Sequence, residues 1–443
     1  MATSRPGKPI EIWGSKGMDN LPRSPANLLD QNRQMTPHIL LNADVTDGGV
    51  LVRRGGFRTP KSLTGCHSLA GQESGLSVML CVAQGVAFPQ SLFQIEEDGA
   101  QELGPVSGPP AQVSYAEINN RIYMANTYWT GVLNLITGEL ESWGVPLPPV
   151  PRISLVDGDL PPGEYKLCYT NRIGDRLGGN GPLTAIRWEG GTYGIQLNNL
   201  PAGALAWMTQ ANGKDLFRAR VTSGLISSIA PDFHPFPSFM VQPPPGFSHL
   251  VYALGRIWGL RGKRMYYSDP GLFEWFRPKN YLPFLEDLTL IGPGMDGLFV
   301  NSWFSTWYLE GRDPKTMKAN LVGQGAIPGT LAMTEQDSGH YTISRPDSFP
   351  PTPTWMSPTG FVVGSHSGHC VTKTEHRLRI NTRGQGASLY RMRKGIPQIL
   401  TTLFGPPEGE GSADLDAIFA RGRIYIPAPL DIIGCGGAIA GGL

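Results

Sequence analysis

Along most of this chain, apolar and polar positions alternate in runs of about five to seven residues, broken by Gly, Asn-Asn or Asp-Gly. Clear examples are SVMLCVA (77–83), SLFQIEEDG (91–99), QVSYAEINNRIYMAN (112–126) and GVLNLITGELESWG (131–144). Later ones are HLVYALGRIWGLRGKRMYYSDP (249–270), DGLFVNSWFSTWYLEG (296–311) and GASLYRMRKGIPQILTTL (386–403). This spacing predicts antiparallel meanders. In GEYKLCYTNR, Tyr165, Leu167 and Tyr169 share one face while Glu164, Lys166 and Thr170 share the other, which predicts a half-buried strand. No amphipathic stripe of about 11 residues or more marks a helix.

One strand phrase recurs far apart: Asn120-Arg121-Ile122-Tyr123, Gly255-Arg256-Ile257-Trp258 and Gly422-Arg423-Ile424-Tyr425. Recurrence of a supersecondary phrase points to radial or stacked units. A strand-only chain built of such units must hide its sheet edges, and a propeller does so by radial repetition. Each copy is read as the entry strand of a blade, with Arg121, Arg256 and Arg423 in blade-edge ion pairs rather than on DNA. Closure is expected where the last strand, around 423–427, pairs beside the first, around 50–57.

Two proline tracts, VPLPPVPR (145–152) and VQPPPGF (241–247), read as stiff linkers. Between them, strand candidates such as LTAIRW (183–188), YGIQLNNL (193–200) and LFRARV (216–221) suit a small sandwich. The predicted fold is all-β: a β-propeller-like body with an inserted immunoglobulin- or fibronectin-type β-sandwich. Residues 1–50 form an extended arm, 51–147 the first propeller part, 148–243 the sandwich, and 244–443 the second propeller part with a Gly-rich extension.

Composition supports that architecture. The 57 glycines and 40 prolines make up about a fifth of the 443 residues, against about 12% for the pair in average proteins. With 40% hydrophobic residues and 10 tryptophans, turns account for the excess better than disorder does. A formal net charge of +1 with 16% charged residues argues against a duplex-binding surface, and leaves room for a neutral wall that nucleic acid slides past. The five cysteines, Cys66, Cys81, Cys168, Cys370 and Cys435, are scattered without a C-x-x-C pair, as free thiols in a reducing compartment would be. The N-terminus lacks the apolar core of a secretory signal, and no apolar run approaches about 20 residues, so no membrane anchor is expected.

Candidate chemistry is sparse. His366, His369, Cys370 and His376 form the best metal candidate, yet an odd spacing on a strand sends His366 and His369 to opposite faces. GSHSG (364–368) has histidine where a nucleophile elbow needs serine. GLRGK (259–263) lacks P-loop spacing, and GDRLGGNG (174–181) reads as a hairpin loop with no helix to follow it. SDPGLFEW (268–275) misses the Asp-box spacing by one place and reads as a Pro-Gly turn with Trp275 packed between blades. Glu96-Glu97 and Glu286-Asp287 read as solvated pairs, and Arg53-Arg54 with Arg391, Arg393 and Lys394 as exposed cations. Trp303, Trp307 and Tyr308 read as core or subunit interface. No catalytic, cofactor-binding or metal site is expected, and no enzyme activity.

Several stretches resemble one family. GMDNLPRSPANLL, the LVRRGGF strand and the HSLAG turn resemble the start of tail nozzle proteins of short-tailed bacteriophages, also called tail tubular protein B or tail-hub proteins. VSYAEINNRIYMANTYWTGVLN, WGVPLPPVP and LPPGEYKLCYTNRIGDRLGGNGP are similar to the join from propeller blades to an inserted sandwich. GRIWGLRGKRMYYSDPGLFEWFRP and MDGLFVNSWFSTWYLEGRDPKTM resemble the later blades. The resemblance runs through most of residues 17–405. It implies a structural virion protein, a usually six-fold ring below the portal and adaptor that encloses the DNA exit channel. Its implied partners are further copies of itself, the adaptor and portal, tail fibre or needle proteins, and genomic DNA passing without specific binding. It implies assembly in the bacterial cytoplasm and residence in the virion tail. Two rival readings are a carbohydrate-binding or -degrading propeller and a receptor-binding tail module.

Overall fold

The computed structural model describes residues 43–45, 51–53, 63–71, 75–97, 99–229, 235–334, 351–373, 384–393 and 396–404. Every regular element among them is a β-strand, and no helix there is long and apolar enough to cross a membrane. A short hairpin joins β1 (Ala43–Val45) to β2 (Leu51–Arg53). Five four-stranded antiparallel sheets then appear among the described residues, each a meander in strict chain order. They are β3–β6 (His67–Ala70, Met79–Ala83, Ser91–Ile95, Ala100–Pro105), β7–β10 (Ser114–Ile118, Arg121–Ala125, Thr130–Asn134, Leu140–Glu141) and β19–β22 (His249–Ala253, Arg256–Arg261, Arg264–Tyr267, Tyr281–Pro283). The last two are β23–β26 (Leu288–Pro293, Gly297–Ser302, Ser305–Glu310, Lys318–Gln324) and β27–β30 (Ala332–Thr334, Thr352–Ser357, Gly360–Gly364, Cys370–Thr372). A closing hairpin pairs β31 (Gln385–Arg393) with β32 (Ile396–Phe404). The fold is all-β and propeller-like, each sheet a blade.

The recurring phrase falls in the second strand of its blade, β8 and β20, not in the entry strand. The reason lies in the turn. Asn119 and Asn120 have φ of 52° and 59°, and Leu254 and Gly255 have 53° and 72°. Two consecutive positive φ values are what a tight hairpin needs to match the twist of its strands, and Asn and Gly adopt them most readily. The phrase therefore marks the far side of the first hairpin. The third copy, with Arg423, and the expected closing pair at 423–427 lie outside the described residues.

The inserted sandwich comprises β11 (Ile153–Leu160), β12 (Gly163–Ile173), β13 (Arg176–Asn180), β14 (Thr184–Trp188), β15 (Tyr193–Leu197), β16 (Leu205–Thr209), β17 (Leu216–Thr222) and β18 (Leu225–Ile229). Its path is β11-β15-β18-β17-β16-β12-β13, with β14 on β12. Strand β17 turns the corner: Leu216–Arg218 pair with β16, and Ala219–Thr222 pair with β18. Between the layers lie Tyr165, Leu167 and Tyr169 of β12, with Ile186, Trp188, Ile195, Leu197, Met208 and Ile226. The period-two face of β12 is thus its core face. Its other face is not simply exposed. Cys168 packs with Trp207, Leu216 and Phe236, and Thr170 is fully buried, so β12 is covered on both sides across its middle, Leu167–Thr170.

The chain divides into two compact units, Met1–Glu102 with Thr289–Leu443, and Leu103–Leu288. The sandwich strands lie within the expected 148–243, yet they share a unit with the blades on either side of them in sequence. In the other unit, blades β23–β26 and β27–β30 enclose a common core of Leu290, Phe299, Tyr308, Trp355 and Val362. Glycines let that core close: a Cβ on Gly364 would come 2.8 Å from the Phe299 ring, and one on Gly292 would come 3.0 Å from Pro353.

Candidate functional site

The densest polar constellation among the described residues is a joint in the unit Leu103–Leu288, where the sandwich meets blades β7–β10 and β19–β22. Strand β8 supplies Arg121, β10 supplies Glu141, β13 supplies Arg176, and the loop after β21 supplies Glu274. Arg176 reaches Glu141 at 2.6 Å and Glu274 at 2.8 Å. Arg121 reaches Glu274 at 3.3 Å and Glu141 at 3.5 Å. Charges alternate around this four-membered ring, so each is opposed by two of the other sign. Arg176 also donates to the Ser142 carbonyl at 2.6 Å. The side chains are only 16–29% exposed. That shields the pairs from solvent screening while one open side avoids full desolvation.

Beneath the ring lies an aromatic core. Trp143 is 2% exposed, and its ring lies 5.3 Å from Tyr123, 5.9 Å from Phe247 and 5.8 Å from Phe276. Its indole N–H donates to the Phe273 carbonyl at 3.0 Å, which satisfies the one polar atom that burial would otherwise penalise. Burial, then the neighbouring Glu274 carboxylate, pushes the Tyr123 phenol up to about 12. The blades also meet directly, since Ser114 Oγ accepts from the Leu250 backbone N–H at 2.9 Å.

Both proline tracts dock on the sandwich rather than spanning free space. The Asn171 side chain donates to the Pro146 carbonyl at 2.8 Å, and Asn199 donates to Val150 O at 2.8 Å. On the return side, Met240 N–H donates to Asn180 Oδ1 at 2.7 Å, and Ser238 Oγ donates to Gly178 O at 2.5 Å. The glycine-rich stretch is the receiving surface. It is not a hairpin loop: Arg176–Asn180 is strand β13, entered by a turn at Gly174 with φ 58°. A Cβ on Gly178 would lie 2.9 Å from Val145, one on Gly179 1.7 Å from the Val241 carbonyl oxygen, and one on Gly181 2.5 Å from Pro148 O. Only glycine lets both tracts lie against this strand, the close backbone approach that a glycine inside a strand signals. That signal is present in GGNG, where its turn-like composition masks it.

The SDPGLFEW segment is a tight turn, with Gly271 at φ 68° and Asp269 N–H donating to Trp275 O at 2.9 Å. Phe273 and Phe276 enter the core, while Trp275 stays partly exposed, which corrects the expectation that Trp275 would pack between blades. Asp269 accepts from Arg277 Nε and from Asn280 Nδ2, each at 2.8 Å, and Arg277 also donates to Phe239 O at 2.6 Å. Arg121 makes the ion pairs expected of it. Arg256 makes none among the described residues: it donates to Ser268 O at 2.7 Å and lies over the Tyr267 ring at 5.4 Å.

His366 and His369 both lie in the turn between β29 and β30, where Ser365 N–H donates to His369 O at 2.8 Å. His366 Nε2 lies 3.5 Å from Thr352 Oγ1, His369 is exposed, and burial pushes the Cys370 thiol up to about 12. His376 lies outside the described residues. Among the described residues no three His, Cys, Asp or Glu side chains gather where they could hold a metal ion. Glu96, Glu97 and Asp287 are exposed and Glu286 is half-buried; Tyr308 is buried while Trp303 and Trp307 are partly so. The side chains of Arg53, Arg54, Arg391, Arg393 and Lys394 lie outside the described set.

The chain matches no protein-family model and no curated protein. Solved structures with distant likeness include apo AztD from Citrobacter koseri, at 12% identity and TM-score 0.24 over 77% of this chain and 90% of that one. BBS1N in complex with ARL6DN is 9% identical with TM-score 0.27, covering 79% and 94%. PorZ of the type-IX secretion system of Porphyromonas gingivalis is 10% identical with TM-score 0.21, covering 78% and 51%. Likenesses this remote leave function to the chain's own residues.

Proposed function

We propose that this chain is a structural virion protein, the tail nozzle or hub of a short-tailed bacteriophage. In this reading copies of the chain close into a ring, six-fold in the family it resembles, below the portal and adaptor. Tail fibre or needle proteins attach to it, and genomic DNA passes through its lumen without specific binding. It assembles in the bacterial cytoplasm and resides in the virion tail.

The observation that carries the reading is the joint. The stretches WGVPLPPVP and LPPGEYKLCYTNRIGDRLGGNGP, which carry part of the resemblance to nozzle proteins, supply a docked proline tract, the glycines Gly178 and Gly179 of β13, and Arg176, which joins Arg121, Glu141 and Glu274 in a neutral ring that fastens the sandwich to its two blades. Such an arrangement holds elements in register, as a part that transmits load must. Near-zero net charge suits a channel wall, because each neutralised phosphate would add salt-dependent affinity and retard the genome. Closed rings need large heterologous contacts, which low charge density also favours.

Negative-stain microscopy of the purified full-length chain tests this. Rings with a central pore that dock on a portal–adaptor complex are expected. Monomers that neither assemble nor bind that complex would overturn the reading.

A further inference from the structure

The formal net charge of +1 hides two blades of opposite sign. Residues 67–105, which hold β3–β6, contain five acids and no lysine or arginine, whereas residues 249–283, which hold β19–β22, contain six lysines and arginines against two acids. Each surplus comes to a hairpin tip. Strands β20 and β21 turn through Gly262, at φ 55°, and Lys263, and the register sets Arg261 directly opposite Arg264. All three cations are exposed, and none makes an ion pair among the described residues. Like charges facing across a ladder destabilise the hairpin that bears them. Arg264 is nevertheless held in place: its guanidinium lies 4.6 Å from the centre of the Tyr281 ring and donates to the Tyr266 hydroxyl. Asp287 approaches this turn, 3.5 Å from where a Cβ on Gly262 would lie, and even with Glu286 beside it the three cations outnumber the acids. Strands β5 and β6 turn through Glu96–Gly99, where Glu96 N–H donates to Gly99 O at 2.9 Å. Glu96 and Glu97 are exposed; Gln94 donates to Glu96 Oε1 at 3.3 Å, and neither glutamate makes an ion pair among the described residues.

We propose that these tips form a contact between successive copies of the chain, in which Arg261, Lys263 and Arg264 of one copy meet Glu96 and Glu97 of the next. The choice of a second copy rests on the ring of the proposed function and on charge complementarity. Each tip offers what the other lacks, and within one chain the two sets make no ion pair among the described residues. A nucleic acid is the rival ligand for the cationic tip, but it leaves the acidic tip without a role. Two different patches meeting head to tail make the heterologous contact that closes a ring. Exposed ion pairs add little affinity; their effect lies in steering, in register and in rejecting wrong pairings. Steering of this kind raises association rates by about 10- to 1,000-fold and fades with salt.

The test follows assembly of the full-length chain by light scattering at low salt. Arg261→Glu with Arg264→Glu, and separately Glu96→Lys with Glu97→Lys, should each slow assembly by about tenfold or more. An equal mixture of the two variants should recover the wild-type rate, because alternating copies restore every contact; misfolded variants would not recover it. On the wild-type chain, carbodiimide should join Lys263 to Glu96 or Glu97 between isotopically light and heavy copies. Variants that assemble at the wild-type rate, a mixture that stays slow, or cross-links confined to single copies would overturn the contact. So would a reversed cationic tip that spares assembly but abolishes retention of duplex DNA, the outcome that assigns the tip to nucleic acid. Copies that cross-link at these tips yet never close into rings that dock on a portal–adaptor complex would overturn the nozzle reading and leave the contact standing. A wild-type chain that stays monomeric would overturn both.

Discussion

Two junctions between blades solve the same packing problem with different chemistry. In the unit Leu103–Leu288, the joint around Trp143 is rimmed by Arg121, Glu141, Arg176 and Glu274. In the other unit, the core of the seam between β23–β26 and β27–β30 holds no charge among the described residues. There Phe299 and Trp355 rings meet at 5.5 Å, and buried hydroxyls serve neighbouring carbonyls, as Thr354 does for Ala332 at 2.9 Å and Thr330 for Ile327 at 2.7 Å. The difference follows from what must be joined. Two blades alone can interlock through glycine, backbone and ring. A sandwich added to two blades leaves an open rim, and there charged side chains long enough to reach across three elements are stable because water still solvates one side.

The sharpest way to break the comparison is to remove its aromatic centre. Trp143→Ala should cost about 3–5 kcal/mol, the usual loss for a large buried aromatic, measured by urea unfolding followed by circular dichroism. A loss below about 1 kcal/mol would mean the joint does not depend on that core. At the seam, Gly364→Ala should cost about 1–3 kcal/mol through overpacking against Phe299. Hydrogen exchange should locate the loosening in β23–β30 and leave the joint protected.

Alkaline pH sharpens the contrast. Tyr123 is held at about 12 against an ordinary 10.0, so the unfolded chain gives up that proton first. Its contribution is complete below pH 10 and falls as pH rises through 12, by about 1.4 kcal/mol per pH unit. Tyr123→Phe should remove that part of the slope, while the share of Tyr169, also held at about 12 by burial in the sandwich core, persists. An unchanged slope would show that Tyr123 ionises without disturbing the joint. The smallest effect concerns the ring itself. A double-mutant cycle of Arg176→Met and Glu274→Gln should give a coupling of about 1–2 kcal/mol. The same cycle at the solvent-exposed pair Arg187–Glu189 should give under about 0.5 kcal/mol. Equal couplings would remove the distinction between rim and surface.

Much of the fold was legible because strand signals are local. Alternation in 165–169 located the sandwich core face, and Asn-Asn and Gly255 located the hairpins of β7–β8 and β19–β20. The joint was legible only in fragments. Arg121 was expected in an ion pair, but nothing near it in the chain names Glu274, 153 residues away, or Arg176 on a strand whose glycines imitate a loop. Trp275 was assigned the packing role that Phe273 and Phe276 perform, since a turn one residue tighter or looser exchanges which ring points inward.

The sequence by itself determined the all-β class, the meandering blades and the inserted sandwich, because period-two patterning and turn residues act over a few neighbouring positions. The tertiary structure decided what the glycines of β13 are for, which acid meets which arginine, and that β12 is covered on both faces. Those outcomes depend on which segments come to lie against each other, and contact between distant segments leaves no periodicity in either of them.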